Sequence, residues 1–139
     1  MIYFTVYGEP KGKGRPRFTK NGHTYTPDST VKYEKSVKKK YKEQCHERYD
    51  KGVGLKMVVC AYYKIQKNIS KKERADKLSG RIRPTKKPDA DNILKIIADS
   101  LNGLAYHDDA QIVYAKVEKY YSDEPRVSVR IEELQEEQT

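Results

Sequence analysis

The 139-residue chain reads as one α+β domain, a roughly four-stranded mixed sheet with helices packed on it, in the order β-α-β-α-α-β-β. Three observations predict this class. Stretches near both ends and in the middle alternate apolar and polar residues with the period of two that a half-buried strand requires. Between them lie stretches with helical spacing of apolar residues or a helix-capping pair. The length suits one core and is short for two.

The first strand is expected at about residues 2–7, where Ile2, Phe4 and Val6 share a face. Gly8 to Phe18, G-E-P-K-G-K-G-R-P-R-F, holds too many helix and strand breakers for regular structure and is expected to be a loop. Its Lys11, Lys13, Arg15 and Arg17, backed by Phe18, suit phosphate contacts, and its glycines let backbone N–H groups approach an anion. A flexible solubilising loop is the alternative. Thr26-Pro27-Asp28 offers a helix start, and Tyr33, Val37, Tyr41 and Cys45 then recur every four residues, predicting a helix at about 28–47. Lysines 38, 39 and 40 wrap more than one of its faces, which favours a solvated exterior over a dedicated DNA surface.

A second strand, at about 54–64, places Leu55, Met57, Val59, Ala61 and Tyr63 on one side. Ser70 and Glu73 have capping-box spacing for a short helix at about 71–79, with Ala75 and Leu78 inward and Gly80 at its end. The basic, proline-broken connector Arg81 to Pro88 delivers the chain to a third helix at about 92–101. That helix buries Ile93, Leu94, Ile97, Ala98 and Leu101 and stops near Asn102-Gly103. Strands at about 110–121 and 126–132 flank the turn Ser122 to Pro125, and Val127, Val129 and Ile131 set the inward face of the last one. Residues 1–132 are thus expected to form the domain, with 133–139 a disordered acidic tail.

Hydrophobic residues make up 36% of the chain and charged ones 35%, so the core is expected to be thin and helped by the 12 tyrosines. The net charge is +9, and four glutamates stand in the last eight residues; without them 29 basic residues face 16 acidic ones, or +13. Such an excess points to a polyanion, usually nucleic acid, although a solvated lysine surface gives the same count. No apolar run approaches the roughly 18 to 20 residues of a membrane span. The first residues alternate like a strand and lack a basic n-region and a cleavage site, so the expected location is the cytoplasm. Cys45 and Cys60 are too few for a cysteine-rich zinc site and read as small core residues.

Against this basic background, K-P-D-A-D-N at residues 87–92 opens the third helix, Lys95 follows on it, and Asp108-Asp109 comes soon after. Asp89 and Asp91 project together if their segment is extended, and a short loop can bring Asp108 or Asp109 back beside the helix start. Each residue also has a plainer explanation. An aspartate or asparagine before an apolar helix is a common N-cap, which accounts for Asp91 or Asn92, and Asp91 with Lys95 makes an i,i+4 ion pair worth about 0.2–0.5 kcal/mol. Those explanations leave the stripe Asp91, Lys95, Asp99 and the second acidic pair unaccounted for. Converging carboxylates repel one another unless a cation neutralises them, and Mg²⁺ suits two or three aspartates facing a phosphate backbone. Side-chain alternation leaves open which of Asp108 and Asp109 points inward.

The string K-P-D-A-D-N-I-L-K-I-I-A-D-S-L-N-G followed by H-D-D-A-Q-I-V resembles the RusA-type Holliday junction resolvases, and the opening G-E-P-K-G-K-G-R-P-R-F with the later T-Y-T-P is similar to the N-terminal region of many members. The resemblance implies a homodimeric, Mg²⁺-dependent endodeoxyribonuclease, often prophage-borne, with Mn²⁺ as a substitute ion. Its expected activity is paired nicking of four-way junctions in recombination and repair. It implies Asp89, Asp91, Lys95 and Asp109 as catalytic residues, with Asp89, Asp91, Asp109 and, less firmly matched, Asp108 as metal ligands. The expected DNA contacts are Lys11, Lys13, Arg15 and Arg17 in one basic segment, and Arg81, Arg83, Lys86 and Lys87 in the other. A nuclease acting on other branched DNA or on RNA, and a non-catalytic nucleic-acid-binding accessory protein, are the alternatives.

Overall fold

The computed structural model describes residues 1–135. Four strands, β1 (Ile2–Tyr7), β4 (Leu55–Lys64), β5 (Ile112–Ser122) and β6 (Arg126–Glu133), form a sheet in the order β1-β6-β4-β5. β6 runs antiparallel to both β1 and β4, and β4 runs parallel to β5, so the sheet is mixed. A parallel pair needs a long crossover, and here it carries α2 (Lys71–Leu78), the basic connector and α3 (Ala90–Ser100). The remaining helix, α1 (Asp28–Gln44), lies between β1 and β4 in sequence. The α+β class and the mixed four-stranded sheet are as the sequence predicts.

Alternation sets the inner face of every strand except β5. Ile2, Phe4 and Val6 pair by register with Ile131, Val129 and Val127, and those with Met57, Val59 and Ala61 of β4; all are buried. Val37 and Tyr41 of α1 and Ile93, Ile96 and Ile97 of α3 close the same core. Leu94, expected inside, is only half-buried, and Ile96 takes its place. α1 ends at Gln44 because Cys45 is already extended, and the end has a use. The Gln44 side chain accepts from Thr5 N–H and donates to Thr5 C=O, both at 2.9 Å, and so seals part of the free edge of β1. Cys45 and Cys60 are half-buried free thiols, with Cys60 on the outer side of the sheet opposite the buried Val59 and Ala61.

Three local expectations are corrected. The basic segment after β1 does contain regular structure, a two-residue ladder between β2 (Arg17–Phe18) and β3 (Thr24–Tyr25), with Gly22 at φ 79° in the turn. α2 does not bury Ala75 and Leu78, which are exposed; it buries Lys77. The Lys77 stem covers the Tyr121 ring, with its ammonium 4.7 Å from the centroid and 3.5 Å from Glu73, so a snorkelling lysine does the work expected of a leucine. Finally, β6 includes Glu133, and Leu134 N–H donates to Gly54 C=O at 2.9 Å. Of the tail expected to be disordered, residues 136–139 lie outside the described residues.

Candidate active site

α3 is the spine of the site. Its N-cap is Asp89, in extended geometry at φ −70° and ψ 155°, and the Lys87–Pro88 peptide before it is cis. The helix therefore starts two residues earlier than its apolar pattern suggests, and Asp91 lies inside the first turn instead of on an extended segment. The Asp89 side chain makes no capping hydrogen bond, so capping does not explain its carboxylate. Asp89, Asp91 and Lys95 are all exposed, and among the described residues none has an ion-pair partner within 4 Å.

Two elements fix Asp89 from opposite sides. From the sheet, Tyr63 O–H donates to Pro88 C=O and the Lys119 ammonium donates to Lys86 C=O, each at 2.6 Å. The same ammonium lies 5.0 Å from the centre of the Tyr63 ring. Burial, followed by the negative charges of Asp89 and Glu9, pushes the Tyr63 hydroxyl up to about 12, which keeps it a donor at neutral pH. Burial lowers Lys119, partly offset by the charge of Asp89. Neither Tyr63 nor Lys119 was identifiable from the sequence as part of the site, because their contacts with the connector cross 25 and 33 residues of chain. On the other side, the glycine-rich segment lies directly on the start of α3. Lys13 N–H donates to Asn92 C=O at 3.1 Å, and a Cβ on Gly12 would come within 3.0 Å of both Pro88 and Asn92. A side chain there would force Pro88 or Asn92 to give by a few tenths of an ångström, so glycine suits this close approach.

Between these walls is an open cleft of about 720 Å³ with Lys11, Arg15 and Lys87 on its rim and Asp89 at the helix start. Of the other cations expected to face DNA, Lys86 and Arg17 are exposed but do not line it. Arg81 is 81% exposed and 4.0 Å from Asp76. Arg83 is held over the Tyr120 ring, 3.8 Å from its centroid. Lys13 is different: its ammonium sits between Glu34 at 2.9 Å and Asp99 at 3.4 Å, half-buried, and ties the basic loop to α1 and α3. Burial opposes its charge, but the bonds and charges of Glu34 and Asp99 outweigh that and hold its pKa up. The structure thus gives Lys13 a bracing role that its neighbours Lys11 and Arg15 do not share.

The second acidic pair belongs to the far end of α3. Gly103, at φ 74°, turns the chain out of the helix, and Asp109 opens a 3₁₀ turn, Asp109–Gln111, just before β5. Asp109 N–H donates to Asn102 Oδ1 at 2.8 Å, and Asn102 Nδ2 approaches its carboxylate at 3.4 Å. Gln111 anchors this loop, accepting from His107 and Asp108 N–H at 3.0 and 3.1 Å while donating to Asp50 and Val53 C=O at 2.8 and 3.1 Å. Asp109 is half-buried beside Asp99, whereas Asp108 is exposed. Burial raises the Asp109 carboxyl above its usual range, the Asn102 bond works against this, and the charges of Asp108 and Asp99 add to it.

The chain therefore brings Asp89 and Asp91 together at one end of α3 and Asp99, Asp108 and Asp109 at the other, with Lys95 on the turn between them. Eight residues separate Asp91 from Asp99, about 12 Å of helix axis. Among the described residues no three His, Cys, Asp or Glu side chains are close enough to hold one ion. The donor chemistry still suits a hard divalent cation. Magnesium takes only one or two protein carboxylates, keeps several waters and shares phosphate oxygens, and exposed aspartates under a basic rim offer those ligands.

Exposed carboxylates beside a cationic cleft, presented on a small α+β scaffold, define a protein equipped to work on a phosphodiester backbone. Residues 7–132 match the family described as endodeoxyribonuclease RusA, and the chain belongs to it. It is 43% identical over 139 residues to the uncharacterized protein YqaN of Bacillus subtilis strain 168, covering 96% of each chain. It is also 31% identical over 94 residues to the crossover junction endodeoxyribonuclease rusA of Lactococcus phage r1t, covering 67% of this chain and 65% of the phage protein. No helix among the described residues is long and apolar enough to cross a membrane.

Proposed function

We propose that the chain is a Mg²⁺-dependent endonuclease that resolves four-way DNA junctions by paired nicks, working in the cytoplasm in recombination or repair. The observation that carries this reading is the cleft in which Lys11, Arg15 and Lys87 surround Asp89 at the start of α3. The cations hold a phosphate against the carboxylates, and Asp89, Asp91 and Asp109, with Asp108 the weakest candidate, are the residues that would hold the ion. Once bound, the ion supplies Lewis-acid stabilisation of the phosphate and a more acidic water. Lys95, exposed on the same helix and without an ion-pair partner among the described residues, balances charge developing on the phosphate or leaving oxygen.

A homodimer fits this reading for two reasons. A junction with near-twofold symmetry needs two matched cuts, which an isologous pair provides. A twofold copy set antiparallel along α3 would also place the Asp109 end of one helix beside the Asp91 end of its partner, joining acids that one chain keeps apart. The test is purified protein with Mg²⁺ offered a four-way junction, a flap, a fork, linear duplex and a hairpin RNA. The junction is expected to be cut first, in paired strands, and Asp91→Asn is expected to bind it without cutting. Undiminished cleavage by Asp91→Asn sinks the site assignment, and preference for another substrate sinks the junction reading.

A further inference from the structure

All three helices pack on one side of the sheet, leaving the other side without a helix among the described residues. On that open face the strand register aligns Tyr7, Arg126, Tyr62 and Tyr120 in one row. Tyr62 and Tyr120 stack at 5.7 Å, the Arg126 guanidinium lies 3.9 Å over Tyr62, and Arg83 closes the row 3.8 Å over Tyr120. Both tyrosine faces are thus occupied, and the row offers guanidinium edges. Those edges are held still: Arg126 Nη1 donates to Ser122 Oγ and Glu124 C=O at 3.0 and 2.9 Å, and Arg83 Nε donates to Lys119 C=O at 2.6 Å. Each guanidinium has five N–H donors, so several remain for an incoming anion.

Four residues along β6, about 13 Å, separate this row from a second one containing Arg130, Val58 and Lys116. The face also carries Lys56 and Lys64, while its two carboxylates, Glu118 and Glu132, are taken up in ion pairs with Lys116, Arg83 and Lys56 at 2.9, 3.7 and 3.9 Å. Lys64, Arg126 and Arg130 have no carboxylate within 4 Å among the described residues. Cations spread over two rows suit an extended polyanion better than a small one. A second copy seated face to face would set these cations against themselves.

We propose that this open face is a second DNA-contacting surface, seating the phosphates of a duplex arm of the branched DNA. The inference rests on the reading above that such DNA is the substrate. The two surfaces are continuous, because Arg83 belongs to the connector that ends in Lys86, Lys87 and Asp89, and Lys119 joins them through Lys86 C=O at 2.6 Å. A bound arm would then run from the cleft, round the β5 edge, and onto the open face.

The test uses the full chain carrying Lys64→Gln and Arg130→Gln together, two exposed residues without ion partners among the described residues, whose removal leaves the core intact. Dissociation constants for a four-way junction are measured in EDTA over a salt series, so cleavage plays no part. Loss of two phosphate contacts is expected to reduce the slope of log K against log salt by about 1.8, at roughly 0.9 per contact. A slope equal to the wild type's overturns the proposal. So does a change in oligomeric state by light scattering without a change in slope, which assigns the face to a second copy. Wild-type protein that binds no branched DNA removes the substrate reading and this surface with it. Wild-type protein that binds and shows the expected slope change, yet never cuts, leaves this surface standing and overturns only the nuclease reading.

Discussion

Asp89 separates a chemical role from a structural one. It occupies the N-cap of α3, where replacing a bonded aspartate by alanine typically costs about 1 kcal/mol. Its side chain, however, makes no capping bond, so what it contributes to the helix is its charge near the N-terminal dipole, about 0.3–1 kcal/mol at an exposed site. Asp89→Asn keeps a residue equally suited to the cap and loses only that charge, so its stability is expected to fall by about 0.3–1 kcal/mol. Activity is expected to behave differently. An ion that stabilises transition-state charge contributes several kcal/mol, and at about 1.4 kcal/mol per decade, loss of a ligand reduces the cleavage rate by at least about 10²-fold. The assay pairs urea unfolding midpoints with initial rates of four-way-junction cleavage in Mg²⁺, for wild type, Asp89→Asn and Asp89→Ala. A variant that loses about 1 kcal/mol of stability while cutting at the wild-type rate would show that Asp89 is a cap and nothing more.

Tyr63→Phe and Lys119→Met each remove a 2.6 Å hydrogen bond that holds the segment leading to Asp89. Both are expected to lower kcat by about 10- to 100-fold with little change in KM, as misplacement of a reacting group does, and an equal rise in KM alone counts against the positioning role. Gln111→Ala breaks four bonds, two to the acidic loop and two to the 50–53 turn, and should cost about 2 kcal/mol in urea unfolding. It should also raise the Mg²⁺ concentration needed for half-maximal cleavage; unchanged stability would show that the loop holds without it. Tyr33 has a buried hydroxyl with no hydrogen-bond partner among the described residues, and burial pushes its pKa well up. Tyr33→Phe is therefore expected to raise stability by about 1 kcal/mol, and a destabilised variant in the same unfolding assay refutes the claim that the hydroxyl is unpaired.

The strands were legible because alternation is a local property: Val127, Val129 and Ile131 declare an inward face without knowledge of their partners. Their order was not, since placing β6 between β1 and β4 depends on pairings across much of the chain. Lys77 shows how a pattern of residue types misleads, because its long stem buries better against Tyr121 than the nearby Leu78 does. The acidic motif could be found from its spacing, but not its division between the two ends of α3. Folding Asp109 toward Asn102 and Asp99 is decided by Gly103 and Gln111, whose partners lie in the 50–53 turn. Lys13 looked like its neighbours Lys11 and Arg15 until α1 and α3 brought Glu34 and Asp99 to it.

Because its acids hang from opposite ends, α3 serves as a ruler. One residue added or removed between Asp91 and Asp99 would shift the two groups by about 1.5 Å and rotate them by about 100° relative to each other. The same change would carry Ile96 or Ile97 off the core face. The helix cannot absorb a change in length, so its eight-residue interval sets the gauge to which any partner, ionic or macromolecular, must fit.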